Sequence, residues 1–166
     1  MNYEKLFTPM KIGKMEVKNR LSFSPMGTNS AFTNGRKDEQ EIDYFIRRAK
    51  GGVGMIVNGC QMLNEAIAQG SMEGYLDSYS VLPALTSMVD GVHRYGARII
   101  CQISPGTGRN AFPDTNGNPP MSASAIPSAF DPNVICHALT KDEISNIMKM
   151  TEFAAGVARD AGYDGI

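Results

Sequence analysis

QEIDYFIRRAKGGVGMIVN, residues 40–58, is the stretch that decides the fold. Ile42, Phe45, Ile46 and Ala49 recur at i, i+3, i+4 and i+7, which lays them on one face of a helix over residues 40–50. Asp38 with Glu41 three residues later has the form of a capping box at its start. Gly51-Gly52 stops it. Residues 53–58 are then a continuous apolar run, as expected of a strand covered on both faces.

The same helix–glycine–strand unit recurs twice downstream. Upstream, residues 21–26 form a short apolar strand after Asn19-Arg20. Downstream, Leu82, Leu85, Val89 and Val92 make a second helical face with Pro83 near its start; Gly96 ends it and residues 97–103 form a buried strand. Thr140 and Glu143 cap a third helix. Its inner face is expected to carry Ile144, Ile147, Met148, Thr151, Ala154, Ala155, Ala158 and Ala161. Gly162 ends that helix and residues 163–166 begin another strand. Three such junctions in a row argue for βαβ units and a parallel sheet. Ahead of them, Ile12, Met15 and Val17 flank Gly13-Lys14, a small hairpin that would plug the bottom of a barrel.

The connections are asymmetric. Helix-to-strand links are a residue or two, whereas about a dozen residues follow Met26, about twenty follow Asn58 and more than about thirty follow Ile103. Long loops in a small domain are usually functional. All three lie at the carboxyl ends of parallel strands, the face on which TIM barrels and doubly wound sheets bind ligands.

Composition excludes several classes. Seventeen acidic residues against sixteen basic ones leave a formal charge of −1, with no basic footprint for nucleic acid or an anionic membrane. No apolar run approaches the ~20 residues that span a bilayer. The amino terminus lacks a signal core, so the expected location is the cytoplasm. Cys60, Cys101 and Cys136 lack metal-type spacing, and His93 and His137 cluster with neither them nor each other; no metal site is expected.

Several strand tips have the residue types of a binding site. Ser24-Pro25-Met26-Gly27-Thr28 reads either as a strand-ending turn or as a place where backbone approaches a ligand closely. Cys60 follows Asn58-Gly59 and is a small packing residue or, with no basic partner in the sequence, a poorly supported nucleophile. Gln102 stands in the apolar strand Ile99-Ile100-Cys101-Gln102-Ile103; read as a buried amide, it is satisfied by neighbouring backbone or pairs with the donor–acceptor edge of a planar ligand. Ser104-Pro105-Gly106-Thr107-Gly108-Arg109 is a weak candidate for attracting an anion.

Taken in order, these segments resemble the old yellow enzyme family, the NADH:flavin oxidoreductases. Leu6-Phe7-Thr8-Pro9-Met10-Lys11-Ile12-Gly13 with Val17-Lys18-Asn19-Arg20 resembles the family's opening. Ser24-Pro25-Met26-Gly27 is similar to its first flavin-contacting strand end, and residues 47–57 to its first helix-to-strand junction. Val92-His93-Arg94-Tyr95-Gly96-Ala97 with Gln102-Ile103 resembles its third-strand unit, and residues 139–144 with 161–165 its third helix. The Pro-Met-Gly-Thr form is most like the subgroup of 2,4-dienoyl-CoA and bile-acid or steroid enoate reductases.

The resemblance implies an α/β fold, a TIM (β/α)8 barrel of which residues 1–166 supply the first three βα units and the start of strand 4. FMN would lie across its carboxyl face, with Pro25, Met26 and Gly27 touching the isoalloxazine through backbone. Cys60 would stand where the family usually has Ala or Gly, and Gln102 would bond the pyrimidine edge. Gly27 replaces the Thr or Cys of several members, so side-chain tuning of the flavin is lost there. Residues 104–109 depart from the common His-Ala-Gly-Arg form, which bears on substrate preference. The implied reaction passes hydride from NADH or NADPH through the flavin to the activated C=C of a small unsaturated carbonyl compound. The residues that grip and protonate substrate, the FMN phosphate loops and the cysteines of a 4Fe-4S cluster belong to segments beyond Ile166. No catalytic residue is therefore assigned, and the fragment alone is expected to be inactive. The alternative is a non-catalytic half-barrel unit that pairs with itself, as a homo-oligomer, or with a complementary half. A third reading is a different phosphate-binding α/β enzyme.

Overall fold

The computed structural model describes residues 3–28, 37–65, 67, 73–113 and 116–166. A 3-10 turn at Glu4–Phe7 leads into strands β1 (Met10–Ile12) and β2 (Met15–Val17), which pair antiparallel as the expected hairpin. Then follow β3 (Ser22–Phe23), α1 (Glu39–Lys50), β4 (Met55–Met62), α2 (Leu82–His93) and β5 (Arg98–Ser104). The short pair β6 (Met121–Ser122) and β7 (His137–Ala138) lies within the third loop, ahead of α3 (Lys141–Asp160).

β3, β4 and β5 form one parallel sheet in that order. Gly165 bridges Ile100 in parallel on the free side of β5, so the chain after α3 returns to the sheet as a further neighbour. The long loops, residues 24–38, 63–81 and 105–140, all leave the carboxyl ends, as the asymmetry of the sequence implies. Residues 29–36, 66, 68–72, 114 and 115 of these loops lie outside the described residues.

Helix ends follow local chemistry. The Asp38 carboxylate accepts the Glu41 amide at 2.8 Å, and Thr140 and Glu143 form a reciprocal capping box. Gly96 and Gly162 adopt φ of +67° and +92°, which side-chain-bearing residues rarely do.

The helix-facing side of the sheet is the core. Ile56, Ile99 and Cys101 meet Phe45 and Ala49 of α1, Leu85, Met88, Val89 and Val92 of α2, and Ala154, Val157 and Ala158 of α3. Each large apolar side chain buried there contributes about 1.5–3 kcal/mol. At the amino edge, Asp164 holds the sheet and helices together. Its carboxylate accepts from the Ile99 amide (2.8 Å) and Arg98 Nη1 (3.0 Å) and pairs with His93 Nε2 (2.7 Å). Arg98 Nε donates to Glu16 O (3.1 Å), fixing the hairpin at that same end, where a barrel plug belongs.

The structure corrects four expectations. The first strand is only Ser22–Phe23, because Pro25 cannot continue a ladder. β4 starts later and runs to Met62, past the expected end at Asn58. β4 and β5 are buried on one face only, since helices cover one side and the inner side faces solvent. On α3, Ile144 is 44% and Met148 67% exposed, while Val157 is fully buried. The fully buried side chains of that helix, Ala154, Val157 and Ala158, all lie in its last half, with Ile147 and Met150 packing partly against the core.

Phe45→Ala is expected to cost about 3–5 kcal/mol in denaturant unfolding, through lost transfer energy and a cavity. The hydrogen bonds of Thr140, with those of His137, hold the exposed Glu143 carboxyl down from 4.5 to about 2. A folded-state value below the unfolded one adds stability above about pH 4.5, lost as pH falls toward 2. The stability gap between the native chain and Glu143→Gln is therefore flat above pH 5 and closes across that window in acid titration.

Candidate ring-binding site at the carboxyl mouth of the sheet

Parallel pairing sets the site. With Phe23 opposite Ile56 and Asn58 opposite Cys101, the segments that follow emerge together at one edge: Pro25–Gly27 after β3, Gly59-Cys60 in β4 and Gln102 in β5. The register shifts between Asn58 and Gln61, and this irregularity turns Gly59-Cys60 out of the regular ladder.

Gln102 is exposed, which corrects its reading as a buried amide. Alternation along β5 sends Ile99 and Cys101 to the helices and Gln102 to the open inner face. Its side chain lies across Gly59: a Cβ built on Gly59 would stand 2.2 Å from Gln102 Oε1 and 2.9 Å from its Cβ. Glycine at 59 is thus a requirement of close approach. Pro25, Met26 and Gly27 are exposed at the neighbouring tip. The Met26 side chain turns away to α1, its sulfur accepting from Tyr44 Oη at 3.0 Å. This leaves backbone at the rim. Arg48 in turn stacks 3.2 Å over the Tyr44 ring.

Cys60 is half-buried, and burial pushes its thiol up, helped by the Glu73 charge and opposed by Lys37. That disfavours the thiolate a nucleophile needs. The glycine turn after β5 is also committed internally. The Gly106 amide donates to Ser104 Oγ (3.2 Å) and the Gly108 amide to Met121 O (2.7 Å), so neither points at an anion. His137 pairs with Glu143 and His93 with Asp164. Among the described residues no three His, Cys, Asp or Glu side chains gather as a metal site.

Polar groups that sequence reasoning missed lie on the helix-facing side of these tips. Asn58 Oδ1 accepts from Tyr163 Oη (2.7 Å) and Gln61 Nε2 (3.3 Å), all three buried. Asn58 Nδ2 finds no acceptor among the described residues. Lys37 and Glu41 form a buried ion pair. Glu73 is buried too, and a Cβ on Gly27 would stand 2.3 Å from its Oε1. Asn58 reads as the end of an apolar strand, and Gln61 lies beyond that expected end. Lys37 and Glu73 carried no sequence signal, because each is brought in by a loop.

The arrangement suits a flat polar ring: a bare glycine surface, a rim of exposed backbone, and a primary amide that offers a donor and an acceptor.

The sequence model of the NADH:flavin oxidoreductase / NADH oxidase family matches residues 5–166. The chain is 34% identical to cinnamate reductase of Clostridium sporogenes, over 99% of this chain and 25% of that protein. It is 32% identical to NADH oxidase of Thermoanaerobacter brockii, again over 99% and 25%. Among solved structures it superposes on the old yellow enzyme homologue from Zymomonas mobilis with a TM-score of 0.83 at 25% identity, covering 97% of this chain and 47% of that one. With 2-naphthoyl-CoA reductase the TM-score is 0.85 at 29% identity, over 99% and 27%. The chain thus spans about a quarter of the length of these curated relatives. Its open array of strands and helices corresponds to part of a TIM barrel.

Tyr163→Phe is expected to cost about 1 kcal/mol in denaturant unfolding, the net worth of one hydrogen bond. Burial holds the Tyr163 hydroxyl well above its ordinary value, as the donor to Asn58. Alkaline difference spectra should accordingly show Tyr163 ionising only with unfolding.

Proposed function

The chain belongs to the NADH:flavin oxidoreductase / NADH oxidase family, the family of old yellow enzyme, and on that premise we propose that residues 1–166 form the ring-binding quarter of an FMN-dependent ene-reductase. Its members are flavin oxidoreductases. The observation that carries the reading is the gathering of Pro25–Gly27, Gly59-Cys60 and Gln102 at the carboxyl ends of three adjacent parallel strands. The array is read as the first three βα units of the barrel, with residues 163–166 opening its fourth strand.

In this reading Gln102 pairs its amide with the pyrimidine edge of the isoalloxazine, and Gly59 lets that amide lie flat. Pro25, Met26 and Gly27 present backbone to the ring, while the Met26–Tyr44 contact fixes the tip they share. Cys60 packs beside the ring as a neutral thiol. FMN held there supplies hydride transfer from NADH or NADPH to the activated C=C of a small unsaturated carbonyl compound. The phosphate anchor and the groups that grip and protonate substrate are assigned to other segments of the family's barrel, as is any 4Fe-4S cluster. Among the described residues no helix is long and apolar enough to cross a membrane, which fits the proposed cytoplasmic location.

A second reading, a half-barrel that assembles with itself or a complementary half, is favoured by the exposed Ile144 and Met148 on α3. Size-exclusion mass separates the two: a discrete dimer supports assembly.

Flavin fluorescence titration tests the first reading. Residues 1–166 should bind FMN weakly, Gln102→Ala should weaken it a further tenfold or so, and no enone-dependent NAD(P)H oxidation should appear. Equal FMN binding by Gln102→Ala overturns the ring site. Robust turnover overturns the division of labour between this segment and the rest of the barrel.

A further inference from the structure

Gly27 lacks a side chain at a strand tip, but the space beside it is filled. The carboxyl of Glu73 lies against its Cα, with Oε1 2.3 Å, Cδ 3.3 Å and Oε2 4.0 Å from where a Cβ would be. The carboxylate is built in. Glu73 is only 7% exposed. The backbone after it is tied to the end of β4: Met62 N donates to Gly74 O (2.8 Å), Leu76 N donates to Met62 O (2.9 Å), and Tyr75 bridges Met62 in parallel. The same group is close enough to Cys60 for its charge to act on the thiol, with Lys37 opposing. Glu73 therefore stands between two of the tips that cup the proposed ring.

We propose that Glu73 takes the place of a residue-27 side chain and is the electrostatic tuning residue of the ring site, its carboxyl group set at the mouth between β3 and β4. The proposal rests on the flavin reading and deepens it. Reduction adds electron density to a flavin ring, and a carboxylate nearby opposes that. The bound flavin is consequently harder to reduce and, once reduced, a stronger hydride donor. Such a donor suits weakly activated alkenes. The family resemblance implies that side-chain tuning at this tip is lost with Gly27; in the proposal it falls to a residue from the next loop.

The test has two readouts. The first needs no flavin: the pH profile of Cys60 alkylation by iodoacetamide, with Cys101 and Cys136 buried. The charged groups acting on Cys60 are Glu73 and Lys37. Glu73→Gln, which keeps shape and removes charge, should move the profile to lower pH. Gly27→Ala, which pushes the carboxylate aside, should do the same. An unmoved profile in Glu73→Gln overturns the proposal, whatever happens to Gly27→Ala. The second readout is the midpoint potential of FMN in the flavin-loaded protein. Glu73→Gln should make it more positive by a tenfold or greater change in the two-electron equilibrium, about 30 mV. A shifted thiol profile with an unmoved potential overturns the role at the ring. Failure to take up FMN overturns the flavin reading and the tuning role together, and is told apart because the thiol profile still shifts.

Discussion

Everything in this molecule is arranged around the parallel ladder of β4. It is the central strand of the three-stranded sheet, flanked by β3 and β5, and its pairing brings the carboxyl ends of all three to the same edge. Parallel strands need crossovers, and the crossovers here are α1 and α2, whose apolar faces close over Ile56, Ile99 and Cys101. The ladder thus dictates both the core and the edge where loops gather. Ladder and helices agree at Asp164, whose carboxylate binds the Ile99 amide, Arg98 and His93 at once.

The two faces of the sheet do different work. The helix-facing side is apolar through most of its depth and turns polar only near the carboxyl edge, at Asn58 and Gln61 with Tyr163 and, nearby, the Lys37–Glu41 pair. Groups so buried are costly unless satisfied. All five are bonded to one another in two sets: Asn58 bridges Tyr163 and Gln61, and Lys37 pairs with Glu41. The opposite side carries Gln102 and the bare surface of Gly59. Polar atoms under the tips and an open inner face above them make this edge distinct from the rest of the sheet.

Much of this was legible in the sequence, for physical reasons. Helix α1 announced itself through Ile42, Phe45, Ile46 and Ala49, and α3 through Thr140 and Glu143, since 3.6-residue periodicity and capping are local properties. Loop asymmetry pointed to the carboxyl edge, where the long loops do leave the strands. What failed depended on neighbours. A hydrophobic run cannot say which of its faces a helix will cover, so Gln102 looked buried and is exposed. The helical period was right along α3, yet Ile144 and Met148 extend past the sheet, because contact depends on where the helix lies. Glu73 was invisible for a plainer reason: its partner, Gly27, is far away in the chain, and no local pattern marks a carboxylate that fills another residue's missing side chain.

The bridge between Met62 and Tyr75 has a consequence for how such a protein can change over time. By catching the chain again right after its excursion, the bridge insulates the mouth from whatever length or composition the intervening residues take. Sequence can vary there without disturbing Glu73, which sits just ahead of that tie. Variation and anchorage are thereby divided between separate pieces of one loop.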